Sequence, residues 1–506
     1  MTPLVREAQK RLGAARADKD RQKRWMQSAY RHLLPYRRRL DDNTNSPEDQ
    51  DDLFDATGQE AIADFAAEIT HTFTPAEVPW VDFEVVGAGV SEAEKRRIQD
   101  AAKKLRETVF GLIRESNLFE ALPEAHLDLG VGTCAAIADD TGRGAVKCRA
   151  VPASDLWVER GPYGAVGARF YRTGMTPEAI LATWPGAKLP PRMQGQARAQ
   201  TEFEVWCGWW RDWSRRDDEV WKHVIWSGSD ELVSETREGE GSCSLIVARW
   251  AVDSSSAWGF GPAHAAMANV RMLDELAFLN LRGLEKRVDP PLFYDDDSVI
   301  NIDNGMEPGM AYARATGSKV DFLEPANDLN AGFFERTQLE MKVRRAFYQD
   351  DPVQLGKTPP TAAQWLDQAQ RTARRMGSPV GRIVTEWQLP WFRRFAFIAR
   401  KRGLVTPEEW ALLSQTAKAT SPLMRAQRQD EALVSVQYLQ LVGQIWGPEM
   451  LKLLVNGGET AAKMKDMMQA DGVVLNDPDQ VAEWIAGMAE RATLDQRASG
   501  MQNAVQ

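Results

Sequence analysis

The stretch from Trp258 to Pro360 limits the possible folds of this chain most strongly, because two long helical patterns flank a strand-rich segment there. The first pattern begins at Pro262, since proline loses no hydrogen bond at the first helical position, and continues to Arg287. This helix is roughly 39 Å long at 1.5 Å per residue, enough to cross a domain. Apolar residues at spacings of three and four predict one stripe, which Met272, Leu276 and Leu279 widen. The stripe consists of Val270, Leu273, Ala277, Leu281, Leu284 and Val288.

The second helical pattern runs from Asp328, a predicted N-cap, to Gln349 and has one apolar and one charged side. The apolar side carries Leu329, Phe333, Leu339, Val343 and Phe347. The charged side alternates Arg336, Lys342, Arg344 and Arg345 with Glu335 and Glu340. A mixed surface of this kind lies in water or packs against a polar neighbour.

Between the two helices, short β-prone runs predict a small β segment at residues 292–294, 299–302, 310–312 and 320–323. Turn sequences separate these runs, among them Asp295-Asp296-Asp297 and Asn304-Gly305. The acidic triplet suits a hard cation or a solvated turn, and the solvated turn is favoured because the later glycine and glutamate of an EF-hand are missing. After the second helix, prolines keep residues 350–360 out of any regular element.

Together these segments resemble the portal, or head-to-tail connecting, proteins of short-tailed bacteriophages. The resemblance rests on the order of WGFGPA, a long helix, EKRVDPPL, short strands, a helix, TPPTAAQWLDQ, a helix and GRIVTEWQLPWFRR. Upstream, DLFDATGQEAIADFAAEITHTFTPAEVPWVDF and LDLGVGTCAAIADD look like the family's N-terminal helix and the start of its β-rich wing. The similarity therefore extends over most of the chain.

The resemblance implies an α+β ring subunit with a helical and β-barrel wing. Its parts would be the wing (1–257, with an antiparallel β-domain at about 130–250), the stem helices (258–288 and 327–349), the clip between them (289–326), the tunnel loop (350–360), a kinked wing-core helix (361–403), a helical crown (404–495) and a disordered tail (496–506).

The resemblance also implies a function: a channel at one capsid vertex through which double-stranded DNA is packaged and ejected. The implied partners are further copies of the chain in a twelvefold ring, the major capsid and scaffolding proteins, the terminase large subunit, and tail adaptor and tail tube proteins. The implied sites are a tunnel loop with Gln354, Lys357 and Thr358, a channel-lining stem with Arg336, Lys342, Arg344 and Arg345, and a partner-docking clip with Asp295, Asp296, Asp297, Asn304, Arg314 and Lys319. The expected location is the virion, and the host cytoplasm during assembly.

Composition is compatible with this interpretation. A chain of 506 residues exceeds one compact core and predicts at least two or three lobes. No apolar run of membrane-spanning length is present, and the N-terminus is charged from Arg6 on, so we expect neither a membrane segment nor a secretory signal. The net charge of −10 suits DNA that must slide, because each neutralised phosphate adds affinity that movement has to break, but it suits an ordinary soluble enzyme equally well.

The first 60 residues carry opposite charges in succession. A basic helix is predicted from Thr2 to Tyr36, and the next twenty residues, from Asp41 to Glu60, are acidic and contain no lysine or arginine. The acidic loop either pairs with basic neighbours or is simply solvated. Further helices are predicted at 57–73 and 92–116.

From residue 130 to 250 the apolar period changes to two, which predicts strands at 134–137, 145–151, 165–171, 203–210, 220–225 and 245–247. Tryptophans cluster in this region together with arginines. Such a cluster would suit either base stacking on single-stranded nucleic acid or the interior of a small barrel. The barrel is favoured, because alternating tryptophans commonly fill a core and the turn at residues 215–218 explains the charges.

The motifs of enzymes are absent or incomplete, so we expect no catalytic site, no metal and no cofactor. Gly356-Lys357-Thr358 matches the end of a phosphate-binding loop, but residue 351 is aspartate where the first glycine should be. The five histidines and four cysteines show no ligand spacing, and the cysteines are expected to be buried. Two alternatives to the portal remain open: an ATPase using Lys357, and a nucleic-acid-binding module that forms no ring.

Overall fold

The computed structural model describes residues 1–37, 53–83, 92–140, 142, 144–195, 200–215, 219–289, 292–295, 310–314, 329–349, 377–406, 417–419, 434–445, 447, 455 and 457–468. The chain divides into two compact units, residues 1–419 and 420–506. The first unit mixes helices and sheets, which confirms the predicted α+β class.

Four helices precede the sheets: α1 (Pro3–Leu33), α2 (Thr57–Phe73), α3 (Glu92–Glu115) and α4 (Leu118–Val131). The Thr2 side chain caps α1 by accepting a hydrogen bond from the Val5 backbone N–H, with Pro3 in the first turn. The bounds of α2 are those predicted, because its large apolar residues recur at helical spacing and are buried. Helix α4 was not predicted. It contains Pro123 as its sixth residue, where proline removes the helical hydrogen bond to the Phe119 carbonyl oxygen.

The wing strands form two open sheets rather than the expected barrel, as far as the described strands show. Strands β4 (Leu156–Arg160), β5 (Val166–Met175), β6 (Phe203–Arg211), β7 (Val220–Ser227) and β8 (Asp230–Glu238) make an antiparallel meander in that order. Strand β2 (Thr133–Asp139) lies between β3 (Lys147–Ala150) and β9 (Leu245–Arg249) in the second sheet. The sheets bury Trp206, Trp209, Trp210, Trp221 and Trp226. This burial supports the core interpretation of the tryptophans over a stacking platform.

Helix α1 covers part of the five-stranded sheet. Its residues Val5, Ala8, Leu12 and Ala15 form an apolar cluster with side chains of β5, β6 and β7, among them Phe170. This cluster is separate from the main core, which joins α2, α3, α4 and the three-stranded sheet.

The stem begins where three glycines allow very close backbone packing. A Cβ atom on Gly132, at the end of α4, would lie 2.2 Å from the Gly259 carbonyl oxygen, and one on Gly261 would lie 2.2 Å from the Gly130 oxygen. Gly259 belongs to β11 (Gly259–Phe260), which pairs with β10 (Ala251–Val252). Helix α6 (Ala263–Val288) follows, within one residue of the predicted bounds at each end.

A shorter helix, α5 (Pro177–Thr183), lies between β5 and β6 in the chain.

Beyond α6, strands β12 (Leu292–Asp295) and β13 (Ala311–Arg314) pair in parallel, with Leu292 opposite Ala311 and Asp295 opposite Arg314. Two of the four predicted strands of this segment are thereby confirmed, and the other two lie outside the described residues. Helix α7 (Leu329–Ala346) then packs against α6.

The second part of the predicted wing-core helix is helical from residue 377 onward. Helix α8 (Gly377–Ile383), a π-helical turn (Val384–Gln388) and α9 (Leu389–Lys401) follow one another without a break. Pro390 lies directly after the π turn, which accommodates the missing N–H of the proline. Trp387, Trp391 and Phe395 are fully buried, as the strongly apolar face predicted.

Strand β14 (Ala417–Ala419) pairs with β1 (Val81–Phe83), between two predicted helices of the crown. In the second unit, residues 434–445 (α10) and Gly457–Met468 (α11) are helical, within or close to the predicted helices. Residues 361–376 of the predicted wing-core helix, much of the predicted crown and the predicted tail at 496–506 lie outside the described residues.

Candidate functional site

The stem helix α6 has one apolar stripe whose two halves have opposite surroundings. In the first half, Val270 is buried in the main core and Leu273 is also buried. In the second half, Leu281, Leu284 and Val288 are 45%, 49% and 84% exposed. The residues are spaced three and four apart, so the same face of the helix passes from the core into solvent.

Helix α7 also presents apolar side chains to solvent. Phe334 and Met341 are 68% and 50% exposed, and their spacing of seven puts them on one face. On the opposite side, Leu339, Val343 and Phe347 are buried, as predicted. Both predicted stem helices therefore carry an apolar row that is exposed in the part of the chain that the structure describes.

The four basic residues predicted on α7 divide into two pairs. Arg336 contacts Glu340 at 2.9 Å and Asp55 at 3.3 Å, and Arg344 contacts Glu60 at 3.0 Å. These two arginines face the start of α2. Lys342 and Arg345 are exposed on another face of the helix.

The side of α6 next to α2 is held by residues 53–55. The Asp274 carboxylate accepts hydrogen bonds from the backbone N–H groups of Phe54, at 2.7 Å, and Asp55, at 3.1 Å. The Phe54 ring packs on Phe278 with centroids 4.8 Å apart. Polar and aromatic contacts thus fix one flank of the stem, while its apolar rows remain open.

In the predicted clip, Asp295 and Arg314 are opposite each other at the ends of β12 and β13. The other predicted docking residues, Asp296, Asp297, Asn304 and Lys319, lie outside the described residues. So do the tunnel-loop residues Gln354, Lys357 and Thr358.

Sequence reasoning missed a buried lysine in the wing. The Lys19 ammonium donates hydrogen bonds to the carbonyl oxygens of Ala153, Ser154 and Leu156 at 2.8, 2.7 and 2.9 Å. It also lies 4.1 Å from the Trp157 ring centroid. Burial lowers the pKa of Lys19 to about 7. The helical spacing of Leu12, Ala15 and Lys19 indicated that this lysine would face the core.

A second buried polar group joins α1 to α4. The Asp128 carboxylate accepts hydrogen bonds from Tyr30 at 2.5 Å and Arg37 at 2.8 Å. Burial raises the pKa of Asp128, and the Arg37 guanidinium opposes that rise. Arg37 borders a cavity of about 590 Å³, which is lined mainly by apolar atoms of α2 and α4. Neither group is arranged around a nucleophile or a substrate.

Within the described residues, no cluster of histidine, cysteine or acidic side chains has the arrangement of a metal site. All four cysteines are buried thiols, as predicted. No helix in the described part of the chain is long and apolar enough to span a bilayer.

Comparison with known proteins relates most of this chain to proteins of bacteriophages. The family model described as bacteriophage head to tail connecting protein matches residues 5–475. A protein named as a probable portal protein, from Bordetella phage BPP-1, is 21% identical over 337 residues. The aligned region is 63% of this chain and 60% of that relative's length. Because the family model matches nearly the whole chain, this protein belongs to the bacteriophage head-to-tail connecting, or portal, family and has a structural role in the phage.

Proposed function

We propose that copies of this chain form a closed ring at one capsid vertex and that double-stranded DNA is packaged and ejected through its channel. The observation that carries the proposal is the uncovered apolar surface of the stem, made by the second half of α6 and the outer face of α7. Membership of the connector family supports it. Twelve is the copy number that the family resemblance suggests.

The stem surface suits a neighbour that is another copy. Each chain carries two different apolar rows, one on α6 with Leu281, Leu284 and Val288 and one on α7 with Phe334 and Met341. Two different rows on one subunit suit a head-to-tail contact, and head-to-tail contacts generate rings when the rotation closes. Burying three large apolar side chains contributes roughly 1.5–3 kcal/mol each per interface when burial is complete.

The charges of the stem suit passage of DNA better than capture. Arg336 and Arg344 each contact carboxylates of the same chain, and Lys342 and Arg345 are exposed on another face of α7. Few exposed cations mean few released counterions, and so a weak hold on a sliding duplex. We assign the closest DNA contact to the tunnel loop at residues 350–360, with Gln354, Lys357 and Thr358.

The clip, residues 289–326, is proposed as the seat of the terminase large subunit during packaging and of the tail adaptor afterwards. Its β12–β13 pair is a two-stranded sheet, and such a pair has little stability alone. Strand edges of this kind are ready to pair with another chain. The wing and crown would meet the major capsid and scaffolding proteins.

The proposal is tested by infection with phages that carry altered portal genes. Deleting Val353 to Pro359 should allow rings but impair packaging or retention of DNA, and Lys357→Ala should do so only modestly, since one exposed charge contributes roughly 1 kcal/mol or less. Deleting Asp295 to Gly317 should leave a folded wing that fails to hold the motor or the tail. Full-length DNA in normal yield from both deletion phages would contradict the channel and docking assignments.

A further inference from the structure

Two departures from regular helix geometry flank residues 350–376. Before this segment, Tyr348 adopts φ 66°, a left-handed conformation that is rare for a bulky residue. After it, α8 passes into the π turn of Val384–Gln388. Strained backbone and π turns persist only where the surroundings hold them, and both concentrate at functional sites.

The first departure is held by an aromatic cluster. The Tyr348 ring lies 5.6 Å from the Trp250 ring and 6.4 Å from Phe65 by centroid distance, and Phe65 meets Trp250 edge-on at 5.1 Å. The next residue, Gln349, donates its side-chain N–H to the Ala61 carbonyl oxygen at 2.7 Å. Trp250, the residue after β9, thus connects the end of that strand to the end of α7 through its contact with Tyr348.

The second departure is held by a buried ion pair. Glu386, in the middle of the π turn, accepts hydrogen bonds from the Arg249 guanidinium at 2.6 and 3.1 Å and from the Arg249 backbone N–H at 3.1 Å. Arg382 adds a contact at 2.9 Å. Arg249 is itself fixed by the carbonyl oxygens of Gly164, at 3.0 Å, and Ala257, at 3.4 Å.

Arg249 and Trp250 are consecutive residues. The end of α7 and the π turn after α8 therefore both contact the same short stretch of chain at the end of β9. We infer that Arg249 and Trp250 act as positioning residues that set the distance and angle between the end of α7 and the start of α8. The functional consequence, for the loop that these two helices flank in the chain, rests on the proposed channel. The fixed distance itself is a property of the folded chain alone.

The exposed residues Glu335, on α7, and Gly377, at the start of α8, are suitable for spin labels, since the four native cysteines are buried. The measurement is the distance between labels at Glu335→Cys and Gly377→Cys in the full chain. Labelled chains are mixed with an excess of unlabelled chains, so that any assembly contains a minority of labelled copies. Trp250→Leu and Glu386→Gln are each expected to broaden or shift this distance distribution. Trp210→Leu, which removes an equally buried indole from the separate cluster under α1, is the matched control and should leave the distribution unchanged.

Thermal unfolding of each variant shows that the chain remains folded when the distance is measured. If Trp250→Leu destabilises the fold too far, Trp250→Phe, which keeps an aromatic ring, and Glu386→Gln still test the inference. An unchanged distance distribution in folded Trp250 and Glu386 variants would overturn it, as would the same broadening in the Trp210 control. Ring formation is read separately by electron microscopy, so a failed ring would contradict the proposed function and leave the distance result standing.

Discussion

The two halves of helix α6 have the same sequence pattern and opposite environments. Val270 belongs to the main core and Leu273 is buried, whereas Leu281 and Leu284, on the same stripe, are about half exposed. An apolar face of this kind on a single chain marks an interaction surface. The first half of the helix therefore belongs to the stability of one subunit, and the second half, in our account, belongs to the assembly.

The largest expected effect separates assembly from folding. Leu281→Asp combined with Leu284→Asp would put two charges into the proposed contact and should abolish rings, since an unpaired buried charge costs several kcal/mol. The thermal midpoint of the dissociated chain should change little, because both positions are about half exposed there. Sedimentation velocity and thermal unfolding check the two halves of this prediction. Persistence of rings in the double variant would contradict the assignment of the second half of α6 to the assembly contact.

A pair of truncations sharpens the comparison within one helix. Leu273→Ala should lower the free energy of unfolding by about 2–5 kcal/mol, because it empties a filled position in the core. Leu284→Ala should lower that of the dissociated chain by less than about 1 kcal/mol, as is usual for exposed positions. Chemical denaturation of both variants below the assembly concentration measures the difference. Equal losses would show that the two halves do not differ as described.

The wing interior has a pH dependence that the stem should lack. Burial lowers the folded pKa of Lys19 to about 7 from 10.5, so between these values the unfolded chain binds more protons and stability rises with pH. The slope is on the order of 1 kcal/mol per pH unit. Asp155, Arg172, Asp20 and Asp128 also act on this ammonium, the acids opposing the shift.

Lys19→Met removes the titrating group and should flatten that part of the stability profile, even though it also leaves three carbonyl oxygens without their donor. Denaturation of parent and variant at several values between pH 7 and 10 gives the two slopes. Equal slopes would mean that Lys19 keeps its ordinary pKa. The Leu284→Ala variant is the control and should retain the parent slope.

The smallest effect is expected where α7 contacts the start of α2. Arg344 and Glu60 form an ion pair whose side chains are 41% and 60% exposed, so Arg344→Ala should cost less than about 1 kcal/mol of unfolding free energy. Arg215→Ala, at a similarly exposed pair with Glu238 in the wing, is a matched control. A loss of several kcal/mol at Arg344 alone would show that the flank of the stem is bound more firmly than its exposure indicates.

Sequence periodicity predicted the elements whose apolar residues face one core. Helix α2 and strands β6 and β7 were found at nearly their true bounds for this reason. It missed β8, because an edge strand with Asp230, Glu231 and Glu235 lacks apolar alternation. It missed β14, because Ala417-Lys418-Ala419 has no β preference of its own and is extended by pairing with β1.

The candidate site was only partly predictable. The stripe on α6 follows from spacing, but spacing cannot tell whether a stripe is covered by its own chain or by another copy. The four α7 cations looked alike in sequence, whereas contacts with Asp55 and Glu60, distant in the chain, separate Arg336 and Arg344 from Lys342 and Arg345. Partners so far away in sequence leave no local pattern.

The central claim is that the exposed half of the stem is covered by neighbouring copies in a closed ring. Electron microscopy of the purified full-length chain, at micromolar concentration and in low as well as moderate salt, tests it most directly. Our account predicts closed rings with a central channel for the parent chain and dispersed single subunits for the Leu281→Asp, Leu284→Asp variant. Single subunits for the parent chain under all of these conditions, together with portal vertices that show no ring in virions, would contradict it.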